Sequence, residues 1–182
     1  MEAKGFNEAF DFVVGAEGGF GNDPNDRGNW TTGIIGEGEC KGTKFGISAM
    51  SYPDMDIEQL SLIDARDIYC RHYWRPMYCE LLSYAQAVCL FDCAVNQGKR
   101  RSAKFAQRAA CVTADGIMGM QTIGAMHRMK NNLFVDCFLA EREKHYRLLS
   151  TFDRYGKGWM NRLDHVSKEA GFPVAVSYTL RG

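Results

Sequence analysis

Apolar positions recur at two different spacings along this chain, and the change from one to the other organises it. Phe6, Phe10, Val13 and Val14 fall at i, i+4, i+7 and i+8, one apolar face at the helical period. The pattern predicts a first helix, stopped by Gly18-Gly19. From Phe20 to Gly46 the period is lost. Pro24, several Asn and Asp residues and many glycines surround short β-prone pieces at Trp30–Ile35 and Thr43–Ile47. Such a stretch predicts turns feeding a small antiparallel ribbon of two or three strands. After Asp54 the helical period returns. Ser61 with Asp64 predicts a capping pair that opens a helix running to Trp74, with Pro76 ending it. Further helices are predicted at about Tyr84–Asn96, Ser102–Val112, Gln121–Met129 and Asn131–Leu149, and a last one from near Trp159 to Ala170. Breaks fall at Gln97-Gly98, at Asp115-Gly116 and at Gly119. One helix, a ribbon and then many helices is an α+β layout.

A chain of 182 residues suits one compact domain, or two lobes sharing a cleft. The expected division is a first lobe over 1–98 that includes the ribbon, a helical lobe over 99–171 packed on it, and a tail over 172–182.

Composition narrows the functions rather than the fold. Lys plus Arg and Asp plus Glu both total 22, so net charge offers no argument for nucleic acid or for a membrane surface. No apolar run is long enough to span a bilayer. The N-terminus has Lys4 but no apolar run of signal length, and Glu2, Glu8 and Asp11 break the pattern. The expectation is synthesis in the cytoplasm. The seven cysteines are scattered without C-x-x-C spacing, which fits thiols used as small apolar fillers in a reducing compartment. The four histidines stand apart, so neither a metal nor another cofactor is expected.

Candidate chemistry gathers at the junction of helix and loop. Glu17 follows Val13 and Val14 by four and three residues. A carboxyl held against that apolar face, at the negative end of a helix, is harder to ionise, which suits a general acid. The ordinary role of such a Glu is merely to end a helix in water. Asp23 and Asp26 lie in the polar loop that follows. Turn chemistry alone accounts for an Asp there, yet two carboxyls in contrasting surroundings are also the equipment of glycoside hydrolysis.

The run Glu17-Gly18-Gly19-Phe20-Gly21-Asn22-Asp23-Pro24-Asn25-Asp26-Arg27-Gly28 closely resembles the opening motif of glycoside hydrolase family 108. Those proteins are phage and prophage endolysins of the lysozyme superfamily. Further matches follow in order: Thr43 to Ser48, Ile68-Tyr69 with Tyr73-Trp74, FDCAVNQG from Phe91 to Gly98, and Asp115-Gly116-Ile117 with Gly119 and Thr122. The segments Ala140-Glu141-Arg142, Gly158-Trp159 and Asn161-Arg162 resemble the family's peptidoglycan-associated C-terminal region.

The resemblance implies a lysozyme-like α+β fold, mostly helical, with the ribbon in the N-terminal lobe. It implies an N-acetylmuramidase, with Glu17 as catalytic acid and Asp26 as second carboxylate. A Thr completes such sites. The insertion Asn29 to Cys40 leaves Thr31, Thr32 and Thr43 as candidates: Thr43 matches the family's position before Phe-Gly-Ile, and Thr32 the lysozyme-like distance from Asp26. Thr43 is preferred as catalytic. Substrate contacts are assigned to Asp23, Trp30, Thr32, Asn96 and Gln97. Trp74 is read as core, and the basic run Lys99 to Arg108 as a solvated helix face. The implied partner is peptidoglycan, met by a monomer that accumulates in host cytoplasm and escapes through a holin lesion. Two rivals share these features: a lytic transglycosylase, which needs the Glu but no water-positioning carboxylate, and a wall-binding module without activity.

Overall fold

A computed structural model describes residues 5–15 and 18–173. Among them are seven α-helices and one two-stranded antiparallel sheet. The backbone separates into two compact units, one of residues 10–71 and the other of residues 1–9 with 72–182. The break expected at residue 98 falls inside the second of these.

Helix α1 (Phe6–Val13) has the expected apolar face, but it stops sooner than Gly18-Gly19. Gly15 takes the left-handed region at φ 78°, where a glycine ends a helix without steric cost. The ribbon is also smaller than the sequence suggests. Strands β1 (Thr43–Lys44) and β2 (Ile47–Ser48) pair with Thr43 opposite Ser48 and Lys44 opposite Ile47. Phe45 and Gly46 turn between them, both at positive φ, as a two-residue hairpin loop requires. Trp30–Ile35 forms no strand. Trp30 makes a single bridge to Cys40, and Gly33, Gly36 and Gly38 take positive φ and coil the intervening chain through turns.

In the unit of residues 10–71 the core gathers Phe10, Ile47, Ile57, Leu60, Ile68 and Tyr69. Helix α2 (Leu62–Tyr69) opens on the capping box foreseen at Ser61 and Asp64. It ends at Tyr69, and a wide π turn over Cys70–Trp74 carries the chain on, so the regular helix is shorter than expected. Tyr69 packs edge-on to Phe10 with ring centres 5.6 Å apart, and its hydroxyl donates to the Phe45 carbonyl at 3.0 Å. The helix therefore grips the hairpin turn directly.

The other unit is built on helix α3 (Tyr84–Gln97), buried continuously from Ala85 to Ala94. Helices α4 (Lys99–Ala109), α6 (Asn131–Arg147) and α7 (Phe152–Glu169) pack against it, and α5 (Met120–His127) against α4. Phe6, Trp74 and Phe91 form an edge-on aromatic cluster, which makes Trp74 a core residue. Two helices start earlier than their apolar pattern suggests. Helix α4 begins directly after Gly98, whose φ of 88° reverses the chain at once, so its first turn is Lys99-Arg100-Arg101. Helix α7 begins at Phe152 because Gly156 is a packing glycine rather than a breaker. A Cβ there would stand 2.8 Å from the Phe152 ring.

Candidate active site

The residues just after Glu17 are clamped to the hairpin. Glu17 itself, the expected proton donor, lies outside the described residues. Phe45 donates its N–H to the Gly18 carbonyl at 3.4 Å. Gly21 and Thr43 exchange both backbone hydrogen bonds, at 2.8 and 2.9 Å. The approach is close enough to require glycine: a Cβ on Gly18 would lie 2.7 Å from the Phe45 Cα, and one on Gly42 would lie 2.6 Å from the Gly21 carbonyl. The Gly18-Gly19-Phe20-Gly21 motif thus seats its chain along the strand that carries Thr43.

The loop beyond it is tied to the same strand by a residue that sequence reasoning passed over. Asn29 is 3% exposed. Its Nδ2 donates to the Asp23 carbonyl at 2.9 Å, and its Oδ1 accepts from the Thr43 hydroxyl at 2.7 Å. Its own carbonyl accepts the N–H groups of Lys41 and Gly42, at 2.9 and 3.2 Å. One buried amide therefore joins the Asp23 loop, the end of the insertion and Thr43. Nothing in the local sequence announces it, because an Asn in a glycine-rich loop reads as a turn residue.

The two loop carboxylates have turn partners and remain exposed. Asp23 Oδ1 accepts from the N–H and Nδ2 of Asn25, at 2.9 and 3.0 Å. Asp26 caps the 3₁₀ turn Arg27–Asn29, its Oδ1 accepting the Gly28 N–H at 2.8 Å. Among the described residues, the second oxygen of each carboxylate has no hydrogen-bond partner.

The competing threonines are used by the insertion. Thr32 donates to the Glu37 carbonyl at 2.8 Å and accepts from the Ile34 N–H at 3.2 Å. Thr31 Oγ1 accepts the Glu39 N–H at 3.0 Å. The Trp30 indole donates to the Pro24 carbonyl at 2.9 Å, which leaves a half-buried ring beside the Asp loop.

Asn96 and Gln97 belong to the other unit. Asn96 is exposed, and its Nδ2 donates back along α3 to the Asp92 carbonyl at 2.7 Å. Gln97 Oε1 accepts from Arg142 Nε at 2.9 Å, while its Nε2 is buried without a partner among the described residues. Gln97 is thus part of a buried charged group. Asp92, fully buried, accepts from Arg142 at 2.7 Å and from Arg162 at 2.8 Å. The thiols nearby are inert. Burial pushes Cys93 up to about 11 and Cys89 higher still, so neither is a nucleophile near neutral pH.

A mostly helical chain with one short hairpin, entered from a helix through a glycine-clamped carboxylate loop, is a lysozyme-like α+β protein. Residues 10–98 match the family model of glycosyl hydrolase 108. That region is similar to the family, and the likeness supports a glycoside hydrolase. The chain is also similar to the solved structure of Brucella abortus SagA, at 26% identity and a TM-score of 0.73, over 91% of this chain and 92% of that one. No curated protein matches it in sequence.

Proposed function

We propose that the chain is an endolysin-type muramidase that hydrolyses the β-1,4 bond between N-acetylmuramic acid and N-acetylglucosamine. Glu17 protonates the glycosidic oxygen as positive charge develops on the sugar ring. Asp26 faces that charge with its unengaged oxygen. The Thr43 hydroxyl has its proton committed to Asn29, so its lone pairs accept a hydrogen from the attacking water. That bond carries the choice of Thr43 over Thr31 and Thr32, whose hydroxyls serve the turns of the insertion. Asp23 and Trp30 are assigned to substrate contact, with the Trp30 ring as the stacking surface, whereas the Thr32 hydroxyl serves its turn and Gln97 its buried charge group. The separation of the two carboxyls sets the stereochemistry, about 5 Å for retention and roughly 6.5–9.5 Å for inversion.

The C-terminal helices are assigned to holding the wall. The biological setting proposed is phage-type lysis, with a monomer released from host cytoplasm through a holin lesion. Among the described residues no helix is long and apolar enough to cross a membrane.

Glu17→Gln keeps the shape and removes the proton. The expected result is a loss of at least about 100-fold in release of glycan ends from purified walls, at an unchanged melting temperature. Full activity in that variant overturns the assignment. Product masses test the bond chemistry: hydrolysis leaves reducing ends, whereas anhydro-muramic ends would mean a transglycosylase.

A further inference from the structure

Five cations crowd one face of the unit formed by residues 1–9 and 72–182. Arg75 and Lys99 line a cavity of about 400 Å³ together with Met77, Tyr78, Ile117 and Met118. Arg100, Arg101 and Lys104 line an adjoining hollow of about 260 Å³ beside Gln97 and Gly98. Arg100 and Lys104 both lie against Gly116, which itself lines the larger cavity. None of the five forms an ion pair within 4.0 Å among the described residues, although Arg108, one turn further along α4, pairs with Glu141 at 3.2 Å. Asp115, the acid of the neighbouring turn, is held by its own loop and by α4, accepting from the Ile117 N–H at 2.9 Å and from Gln107 Nε2 at 2.7 Å, and Lys104 is near enough to help keep its carboxyl low without forming an ion pair.

This arrangement works against the helix that bears it. Lys99, Arg100 and Arg101 form the first turn of α4, which contains no acid. Cations at the positive end of a helix are unfavourable, and Arg100 repels Lys104 four residues on. A sequence chosen for stability alone would put Asp or Glu there. The recessed apolar walls are a second departure from an ordinary solvated face, since Ile117 and Tyr78 remain exposed beside the charges.

We propose that this face is a subsite for the peptide side chains of peptidoglycan, which carry free carboxylates and alanine methyl groups. The carboxylates would meet the guanidinium and ammonium groups, and the methyls would meet Met77, Ile117 and Met118. Arginine suits this role because its planar fork engages a carboxylate through two hydrogen bonds. A phosphate polymer would satisfy the charges but leave the apolar walls unused, and a flat membrane surface would not enter the hollows. The proposal rests on peptidoglycan as substrate, and it adds that the peptides, besides the glycan, are read.

The test uses the full chain carrying Glu17→Gln, titrated with soluble glycan strands that bear peptides and with the same strands stripped by an amidase. The expected preference for peptide-bearing strands is about tenfold or more, weakening as salt is raised. Arg100→Ser with Lys104→Ser, and separately Arg75→Ser, should abolish the preference while leaving the melting temperature unchanged or higher. Equal binding of the two strands, or a preference surviving both variants, overturns the subsite. So does tighter binding to anionic phospholipid vesicles or to a glycerol phosphate polymer. Glycan-end release by the unsubstituted chain is measured in parallel. If release fails while peptide-bearing strands are still preferred, the catalytic assignment fails and the subsite stands. If release proceeds without the preference, the subsite alone fails.

Discussion

Asn29 shows what a single buried amide does for the site. Its Oδ1 holds the Thr43 hydroxyl and its Nδ2 holds the Asp23 carbonyl, so its loss leaves two polar groups without partners. Leaving such groups unsatisfied costs about 1–3 kcal/mol. Asn29→Ala should lower the melting temperature and also lower kcat, because the hydroxyl direction is no longer fixed. Thr43→Val should lower kcat by about tenfold or more with little change in KM, while Thr43→Ser keeps most of the activity. A Thr43→Val enzyme as fast as the parent would return the choice to Thr32. The Glu17–Gly28 run was legible as a family motif in part because Gly18 answers a requirement of the backbone: a Cβ there would lie 2.7 Å from the Phe45 Cα at the hairpin turn. Asn29 was not legible, because burial in a loop arises from contacts with Asp23 and Thr43 that no local pattern encodes.

Helices were readable where their ends carry chemistry, and misplaced where packing decides. The Ser61–Asp64 box located the start of α2 correctly, since the hydroxyl and the carboxylate reciprocally satisfy N–H groups that the first turn leaves bare. By contrast, α4 and α7 begin earlier than their apolar period suggests. Their first turns hold Lys99-Arg100-Arg101 and Phe152-Asp153-Arg154, which give little periodic signal. The cap makes a prediction at this scale. Ser61→Ala should destabilise the unit of residues 10–71 by about 1 kcal/mol at neutral pH. Hydrogen bonds from the Ser61 hydroxyl and N–H hold the Asp64 carboxyl below its ordinary value. A carboxyl depressed in the folded state contributes stability above its unfolded value, near pH 4, and loses it as pH falls through the folded value. The gap in melting temperature between the parent and Ser61→Ala should therefore narrow in acid, as followed by calorimetry from pH 7 to pH 3. A gap that widens in acid would contradict the cap.

Three stretches separated widely in sequence meet at one buried charge. Asp92 lies in the FDCAVNQG segment, Arg142 in Ala140-Glu141-Arg142 and Arg162 in Asn161-Arg162, and the two guanidinium groups share the Asp92 carboxylate. These segments were read from the sequence as marks of a family without a physical reason for their residues. The structure supplies one: α3, α6 and α7 are held in register by a charge cluster that no aliphatic core would position as sharply. Burying ions is expensive, so the cluster is weak evidence for stability, yet breaking it is costly because the surviving charge stays buried. Arg142 is fully buried, whereas Arg162 is about a third exposed and can turn to water, so the penalty for losing Asp92 falls mainly on Arg142. Asp92→Ala should cost about 3–5 kcal/mol, and hydrogen exchange should speed up in α3, α6 and α7 more than in α2. Asp92→Leu with Arg142→Met removes both charges and should recover most of that loss, since neither group is then left unpaired. An Asp92→Ala protein that melts like the parent would mean that the helices are fixed by apolar packing alone.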